Sequence, residues 1–156
     1  MFKHEYYLLS MFEKAGSIRG RKKLQKMVHL LKQKGLNVHF RYRYHHFGPY
    51  SAELQTKIND MVEQEFLQES PDNGAYKYTL TEKGKEFKAK LDQFFTENDP
   101  VIPAYFEPSI RALEDKTSPF LEVASTYAFL LETETDKQVA RDKTKELKPH
   151  LVDMLD

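Results

Sequence analysis

The sequence contains no cysteine and no tryptophan, and only six of its 156 residues are glycine. The absence of cysteine excludes disulfide bonds, thiolate metal ligands and a cysteine nucleophile, and it fits a reducing compartment. No apolar run reaches membrane-spanning length, and the start, MFKHEYYLLSMFEK, has acidic and polar residues where a signal peptide needs apolar ones. We therefore expect a cytoplasmic protein with no membrane partner.

Motifs for enzymatic chemistry are missing as well. The sequence has no G-x-S-x-G elbow, no P-loop and no glycine-rich dinucleotide fingerprint, and nothing pairs any two carboxylates as general acid and base. His39 and His45 fall on one side of a predicted strand, but they would lie about 20 Å apart, too far to share a metal ion. With His46 they fit a basic strand face better. We expect no enzyme, no cofactor and no metal site.

Two helices and a strand are predicted before Ser51. The first helix covers residues 2–15 and ends at Gly16, and Ser17 is expected to cap the second, which covers residues 21–35. Apolar and basic residues then alternate from Val38 to His46, which predicts a strand with one apolar and one basic side. We expect the tyrosines of this strand and of the hairpin described next to face the core rather than to stack on unpaired bases, namely Tyr42, Tyr44, Tyr76 and Tyr78.

Residues 51–95 predict a helix, a β-hairpin and another helix. Ser51 can cap the first of these, and Pro71-Asp-Asn-Gly74 favours a tight turn because Asn and Gly accept positive φ. Tyrosines then alternate with Lys77 and Thr79 as in a half-buried strand, and Thr81 can cap the second helix. The expected buried positions are Leu54, Ile58, Met61, Val62 and Phe66, then Tyr76, Tyr78 and Leu80, then Phe87, Leu91, Phe94 and Phe95.

Residues 96–103, with two prolines, predict a linker between a domain of residues 1–96 and a helical extension of residues 97–156. Helices are predicted from Tyr105 to Leu113, from Ser118 to Glu132 and from Asp136 to Leu155. The broad apolar stripe of the middle helix favours packing on the first domain or a homodimer interface. That stripe comprises Phe120, Val123, Ala124, Tyr127, Ala128 and Leu131, and the last helix is expected to bury Leu147, Leu151 and Met154.

The element order, with the run YKYTLTEKGKEF from Tyr76 to Phe87, resembles the winged-helix domains of bacterial transcription regulators. The whole chain resembles the uncharacterised YwgA-like bacterial proteins. The runs KLQKMVHLL, residues 23–31, and GPYSAEL, residues 48–54, are similar to the antitoxin domains called Panacea. These resemblances imply a mainly α (α+β) fold: a winged helix-turn-helix-like domain with a small β-hairpin wing and a helical C-terminal extension. They imply binding to DNA, to another protein or to both.

The net charge of zero hides a strong asymmetry. Residues 1–50 contain 11 Lys and Arg against two Asp and Glu, and the remainder contains 13 against 22. If the second helix and the strand lie side by side, their polar faces form one positive surface that would bind phosphates in a salt-dependent way. A solvated face, or docking onto the acidic part of the chain or of a second copy, is the alternative. The candidate nucleic-acid-binding residues are Arg19, Arg21, Lys22, Lys23, Lys26, Arg41, Arg43, His45 and Lys77.

Two functions follow from these patterns. The first is a transcriptional regulator that binds the backbone of double-stranded DNA through the basic surface. The second is a protein-protein interaction module, antitoxin-like or an adaptor, that recognises a protein partner and does not read DNA. The presumed recognition helix carries Glu53, Asp60, Glu63 and Glu65, which repel phosphates and favour the second function. The positive N-terminal third favours the first.

Overall fold

The computed structural model describes residues 2–46, 48–98 and 106–148, without the side chains of residues 96–98. These residues form seven α-helices and two small antiparallel sheets, which confirms the mainly helical α+β class. Within the same ranges no helix combines the length and apolar character that crossing a bilayer requires. The elements are α1 (Lys3–Ala15), β1 (Ser17–Arg19), α2 (Arg21–Gln33), β2 (Arg43–His45), β3 (Gly48–Tyr50), α3 (Ala52–Glu63), β4 (Leu67–Asp72), β5 (Ala75–Leu80), α4 (Glu82–Asn98), α5 (Phe106–Glu114), α6 (Ser118–Leu131) and α7 (Lys137–Leu147).

The larger sheet has the strand order β1-β5-β4. Its hairpin is the predicted one, because Asn73 and Gly74 turn the chain between β4 and β5 with φ of 48° and 82°. β1 pairs with the other edge of β5, with Ser17 opposite Thr79. The expectation that Ser17 caps the second helix is therefore wrong: its backbone is in a strand, and α2 begins one residue after β1, with Gly20 as the N-cap.

The segment between α2 and α3 departs furthest from the prediction. The strand expected from Val38 to His46 forms only as β2, which pairs with β3 so that Arg43 lies opposite Tyr50. Val38 and Phe40 are still buried while their neighbours are exposed, so the alternation of burial holds. Alternation needs only an extended backbone, whereas a strand needs a hydrogen-bonded neighbour, and residues 38–42 have none in the described structure.

The caps predicted for α3 and α4 are confirmed. The Ser51 hydroxyl accepts a 3.2 Å hydrogen bond from the backbone N–H of Leu54, and the Thr81 hydroxyl accepts one of 2.9 Å from that of Gly84. A side chain at Gly84 would place its Cβ 2.2 Å from the carbonyl oxygen of Phe66. The Leu-Thr-x-x-Gly run at the start of α4 therefore needs glycine, because the first turn of α4 lies against the backbone of Phe66, between α3 and β4.

The predicted core is correct in α1, α2 and α3 and wrong at several later positions. The buried cluster includes Leu9 and Phe12 of α1, Leu24 and Met27 of α2, and residues of every helix through α6. α6 buries Leu121 and, of the expected stripe, Val123. Ser125, which is outside that stripe, is also buried, because it is hydrogen-bonded to His29 of α2. Four residues expected to be buried are exposed: Tyr76, Phe94, Phe120 and Leu147.

The helices after residue 95 are confirmed with shorter or shifted bounds. α4 runs to Asn98, so the start of the predicted linker is helical. Asp136 caps α7 by accepting a 2.9 Å hydrogen bond from the backbone N–H of Gln138. The remaining linker residues, 99–103, lie outside the described residues, as do Tyr105, Leu151 and Met154. The division into domains of residues 1–96 and 97–156 stays a prediction.

Candidate functional site

The two arginines at the start of α2 are bound to the β4–β5 hairpin. Arg19 lies 3.2 Å from a carboxylate oxygen of Asp72 and also donates to the backbone carbonyls of Asp72 and Asn73. Arg21 donates a 3.0 Å hydrogen bond to the Tyr78 hydroxyl and lies 3.4 Å from Glu69. The bond to Tyr78 is the main cause of a raised pKa of Arg21. Part of the basic N-terminal third is therefore neutralised by the acidic remainder of the same chain.

The three lysines of the first turns of α2 occupy different environments. Lys22 is exposed, whereas the Lys23 ammonium donates a 2.5 Å hydrogen bond to the carbonyl of Glu114, at the C-terminal end of α5. A cation is favourable there because the carbonyl end of a helix is partially negative. Lys26 is almost fully buried, with 3% of its surface exposed. The expected solvated lysine face therefore exists only in part.

A cleft of about 320 Å³ lies between the start of α2, the β2–β3 hairpin and α3. It brings together cations of α2 with the histidines at the end of β2, which the sequence places 19 to 25 positions away. Volumes of this order suit small-molecule ligands. The lining residues are Arg21, Lys22, Gln25, Lys26, His45, His46, Gly48, Pro49, Tyr50 and Gln55.

The inner end of the cleft carries more buried positive than negative charge. Lys26 and Lys148 expose 3% and 4% of their surfaces, and Glu122 is the carboxylate between them that acts on both. Glu122 lies 3.7 Å from the Lys148 ammonium, which also donates a 3.0 Å hydrogen bond to the carbonyl of His46. Burial lowers the pKa of Lys26 to about 8, and the attraction of Glu122 offsets this in part.

Other candidate residues lie beside the cleft or away from it. Arg43 is exposed two residues before His45, so both side chains leave β2 on the same side. Arg41, which precedes β2, is also exposed. Neither arginine has an ion-pair partner among the described residues. Lys77 is exposed and pairs with Arg19 across β1 and β5, on the sheet face opposite to Tyr76 and Tyr78. The structure therefore joins Arg21, Lys22, Lys26 and His45 and separates Arg19, Lys23 and Lys77 from them.

The exposed side of α3 is acidic. Glu53 accepts a 2.9 Å hydrogen bond from the backbone N–H of Arg41, and Asp60 and Glu63 are exposed. The basic residue of this helix, Lys57, lies 3.3 Å from Glu5 of α1. A helix with this charge repels the phosphates on both sides of a DNA groove.

A buried polar pair joins α2 to α6. His29 Nδ1 and the Ser125 hydroxyl are 2.7 Å apart, and both side chains are fully buried. Burial, with smaller contributions from Lys32 and Lys26, lowers the pKa of His29 to about 4. Glu132 lies 3.9 Å from the other ring nitrogen. Because no solvent reaches the serine, this set holds two helices together rather than offering a nucleophile. In the described ranges no three His, Asp or Glu side chains are placed to hold a metal ion.

Sequence reasoning missed several members of the cleft. His46 adjoins a predicted residue, and Tyr50 and Gln55 follow the Gly-Pro turn that shapes the hairpin, so proximity in sequence could have suggested them. Glu122 of α6 and Lys148, after α7, do not line the cleft, but Glu122 attracts Lys26 and Lys148 donates to the carbonyl of His46, and no sequence signal linked them to it. Lys148 and His46 are 102 positions apart.

Comparison with known proteins identifies one relative. The chain is 34% identical over 146 residues to a Bacillus subtilis protein named "Uncharacterized protein YwgA", and the alignment spans 88% of this chain and 82% of the relative. No protein-family model matches the chain. An identity of this level over most of both chains confirms the resemblance inferred from the sequence, and the chain belongs to the YwgA family.

Proposed function

We propose that this protein is a non-enzymatic winged-helix protein that binds the phosphate backbone of double-stranded DNA and acts as a transcriptional regulator. The observation that carries the proposal is the pair of exposed arginines, Arg41 and Arg43, beside a cleft lined with further cations. Arg19, which is bound to Asp72, lies away from this cleft. Neither Arg41 nor Arg43 has an ion-pair partner among the described residues, and exposed guanidinium groups suit bidentate contacts to phosphate oxygens.

The order of elements supports a winged-helix scaffold. α1, β1, α2, α3, β4, β5 and α4 follow one another in the order of that fold, and β1 pairs with β5 at the edge of the hairpin. The β4–β5 hairpin would be the wing, and α3 would occupy the place of the recognition helix. The β2–β3 hairpin is an insertion between α2 and α3, where winged-helix domains of transcription regulators usually have a short turn.

The charge distribution favours contact with the DNA backbone over reading of bases. α3 presents Glu53, Asp60 and Glu63 outward, so inserting it into the major groove would bring carboxylates close to phosphates. Arg41, Arg43 and the mouth of the cleft offer positive charge at the β2–β3 hairpin instead. Backbone contacts fix position without carrying sequence information. We therefore expect binding with little preference among duplex sequences.

The test is to replace both arginines with alanine and to titrate duplex DNA at several salt concentrations. Removing two phosphate contacts should weaken binding at low salt and reduce the slope of log affinity against log salt by about 2. Both side chains are exposed, so folding should be unchanged in a circular dichroism melt. The control is Lys90→Ala together with Lys143→Ala, which removes two positive charges from α4 and α7. If the folded Arg41→Ala/Arg43→Ala protein binds DNA with unchanged affinity, these two arginines are not part of the DNA interface.

The second candidate function is a protein-protein interaction module. The acidic outer side of α3 favours it, because a basic partner protein would bind that side where DNA could not. The internal pairing of Arg19 with Asp72 and of Arg21 with Glu69 also reduces the positive charge that could attract DNA phosphates. Substituting Glu53 and Asp60 with lysine separates the two functions. The change should strengthen DNA binding if phosphates approach α3 and weaken binding of a basic partner. The homodimer predicted from the sequence stays a prediction.

A further inference from the structure

The cleft contains a buried cation with little local compensation. The Lys26 ammonium donates one long hydrogen bond, of 3.4 Å, to the carbonyl of Lys22, and has no ion pair within 4 Å among the described residues. An ammonium can donate three hydrogen bonds, and a buried charge needs partners to offset its lost hydration. Glu122 faces two buried lysines, Lys26 and Lys148, so this carboxylate cannot neutralise both.

The same cleft adjoins the N-terminus of α2, where the backbone is also positive. Gly20 caps this helix without a side-chain hydrogen bond, and the first turn carries no acidic residue. It carries Arg21, Lys22 and Lys23 instead, although negative charge is what stabilises this end of a helix. Arg21 is paired with Glu69, and Lys23 donates to the Glu114 carbonyl. An anion bound in the cleft would meet Lys22 and the positive end of the helix.

The wall formed by β2 and β3 is aromatic. The rings of His45 and Tyr50 lie 4.9 Å apart with their planes tilted by 41°, and both line the cleft. Tyr50 is only half-buried, so part of its ring remains open to a ligand. A planar ring could stack on such a surface as nucleobases stack on tyrosine and histidine.

We propose that this cleft binds a small phosphorylated ligand with a planar ring, of the nucleotide class. The phosphate lies against Lys26 and Lys22 at the start of α2. Its negative charge offsets the excess positive charge of the two buried lysines, Lys26 and Lys148. The planar ring lies against Tyr50 and His45. This binding goes beyond the proposed function, because it needs neither DNA nor the exposed arginines Arg41 and Arg43.

Calorimetric titration with adenosine monophosphate, adenosine and inorganic phosphate tests the proposal. The monophosphate should bind with Kd below about 1 mM, and adenosine should bind at least about tenfold more weakly because it lacks the charge-assisted contacts. Lys26→Met should weaken binding of the monophosphate by about tenfold or more and remove the rise in melting temperature that the ligand gives. Lys90→Met, an exposed lysine of α4, is the matched control and should bind as the wild type does.

Two further results make the outcome decisive. If Lys26→Met does not fold, Lys22→Met decides instead, since Lys22 is exposed and lines the same cleft. Unchanged binding in the folded variant, or no binding of the monophosphate at 10 mM (about ten times that upper limit) by the wild type, overturns the proposal. Equal affinity for inorganic phosphate and the monophosphate overturns the assignment of the ring site. Because DNA binding is tested with Arg41→Ala/Arg43→Ala, failure here leaves that test unaffected.

Discussion

The guanidinium of Arg21 donates a 3.0 Å hydrogen bond to the hydroxyl of Tyr78, which in turn donates one of 2.5 Å to Glu69. The chain of bonds ties the first turn of α2 to both strands of the β4–β5 hairpin. The Arg21 side chain also covers the ring of Tyr76 at 4.3 Å. A residue from the basic third of the sequence thus holds an acidic hairpin in place, and charge complementarity between the two parts is at least partly internal.

This bracing predicts different roles for two arginines of the same basic set. Arg21→Met should lower the free energy of unfolding by about 1 kcal/mol, because it removes a charged hydrogen bond that is only partly screened by solvent. Arg43→Met, at an exposed position of β2, should change the unfolding free energy by less than about 0.5 kcal/mol. Urea denaturation followed by circular dichroism measures both. Equal stabilities of the two variants would mean that Arg21 does not hold the hairpin.

The sequence predicted the elements whose causes are local. Ser51 and Thr81 cap helices through bonds to backbone groups three residues away, and Asn73 and Gly74 turn a hairpin because of their own backbone preferences. The sequence failed where the cause lay elsewhere in the chain. Val38 to Tyr42 alternates like a strand but has no strand neighbour, and Ser17 joins a sheet because β5 has an open edge.

The candidate site was predictable to the same extent. Arg21, Lys22 and Lys26 lie close together because they belong to one helix, so this basic cluster could be recognised in the sequence. That Lys26 is buried could not be read from the sequence, because its burial depends on α6 and on Lys148, which are distant in sequence. Likewise, helical spacing assigned Ser125 to the outside of α6, whereas its partner His29 draws it into the core.

The His29–Ser125 pair predicts a stability loss specific to one serine of α6. Ser125→Ala should lower the free energy of unfolding by about 1–3 kcal/mol, because it removes the closest hydrogen-bond partner of His29 Nδ1. Ser118→Ala, at the exposed start of the same helix, is the control and should have little effect. Chemical denaturation compares the two. A loss of similar size in both variants would show that the buried bond contributes nothing particular.

The lowered pKa of His29 predicts a loss of stability in acid. The folded protein holds this ring neutral down to about pH 4, whereas the ordinary pKa is 6.5, so the unfolded chain binds the proton first. The neutral ring contributes fully to the free energy of unfolding above pH 6.5. This contribution should be lost between pH 6.5 and pH 4, and the loss is on the order of 3 kcal/mol.

His29→Gln, which cannot titrate, should flatten this part of the curve of unfolding free energy against pH. His45→Gln, at an exposed position of β2, should leave it unchanged. The charged groups that face the His29 ring are Glu132, Lys26 and Lys32. An equally steep curve for His29→Gln would assign the acid sensitivity to other groups.

Gly84 predicts the strongest local effect of a small substitution. Alanine is the better helix former by about 1 kcal/mol, yet its Cβ would lie 2.2 Å from the Phe66 carbonyl oxygen and 2.8 Å from Leu80 Cδ1. We expect Gly84→Ala to destabilise the protein by about 2–3 kcal/mol, because backbone must move to relieve the contact. Glu86→Ala, two residues along the exposed side of α4, is the control. A thermal melt in which Gly84→Ala is as stable as the wild type would contradict the close approach of α4 to the backbone of Phe66.

The most direct test of the proposed function is fluorescence anisotropy of labelled, mixed-sequence duplex DNA titrated with the wild-type protein. The titration is made at about 20 mM salt and again near 150 mM, where exposed charges are screened beyond about 8 Å. The account predicts binding at low salt that weakens by at least about tenfold at the higher concentration, since phosphate contacts release counterions. No binding at low salt would contradict it and would direct attention to the acidic side of α3 and a protein partner.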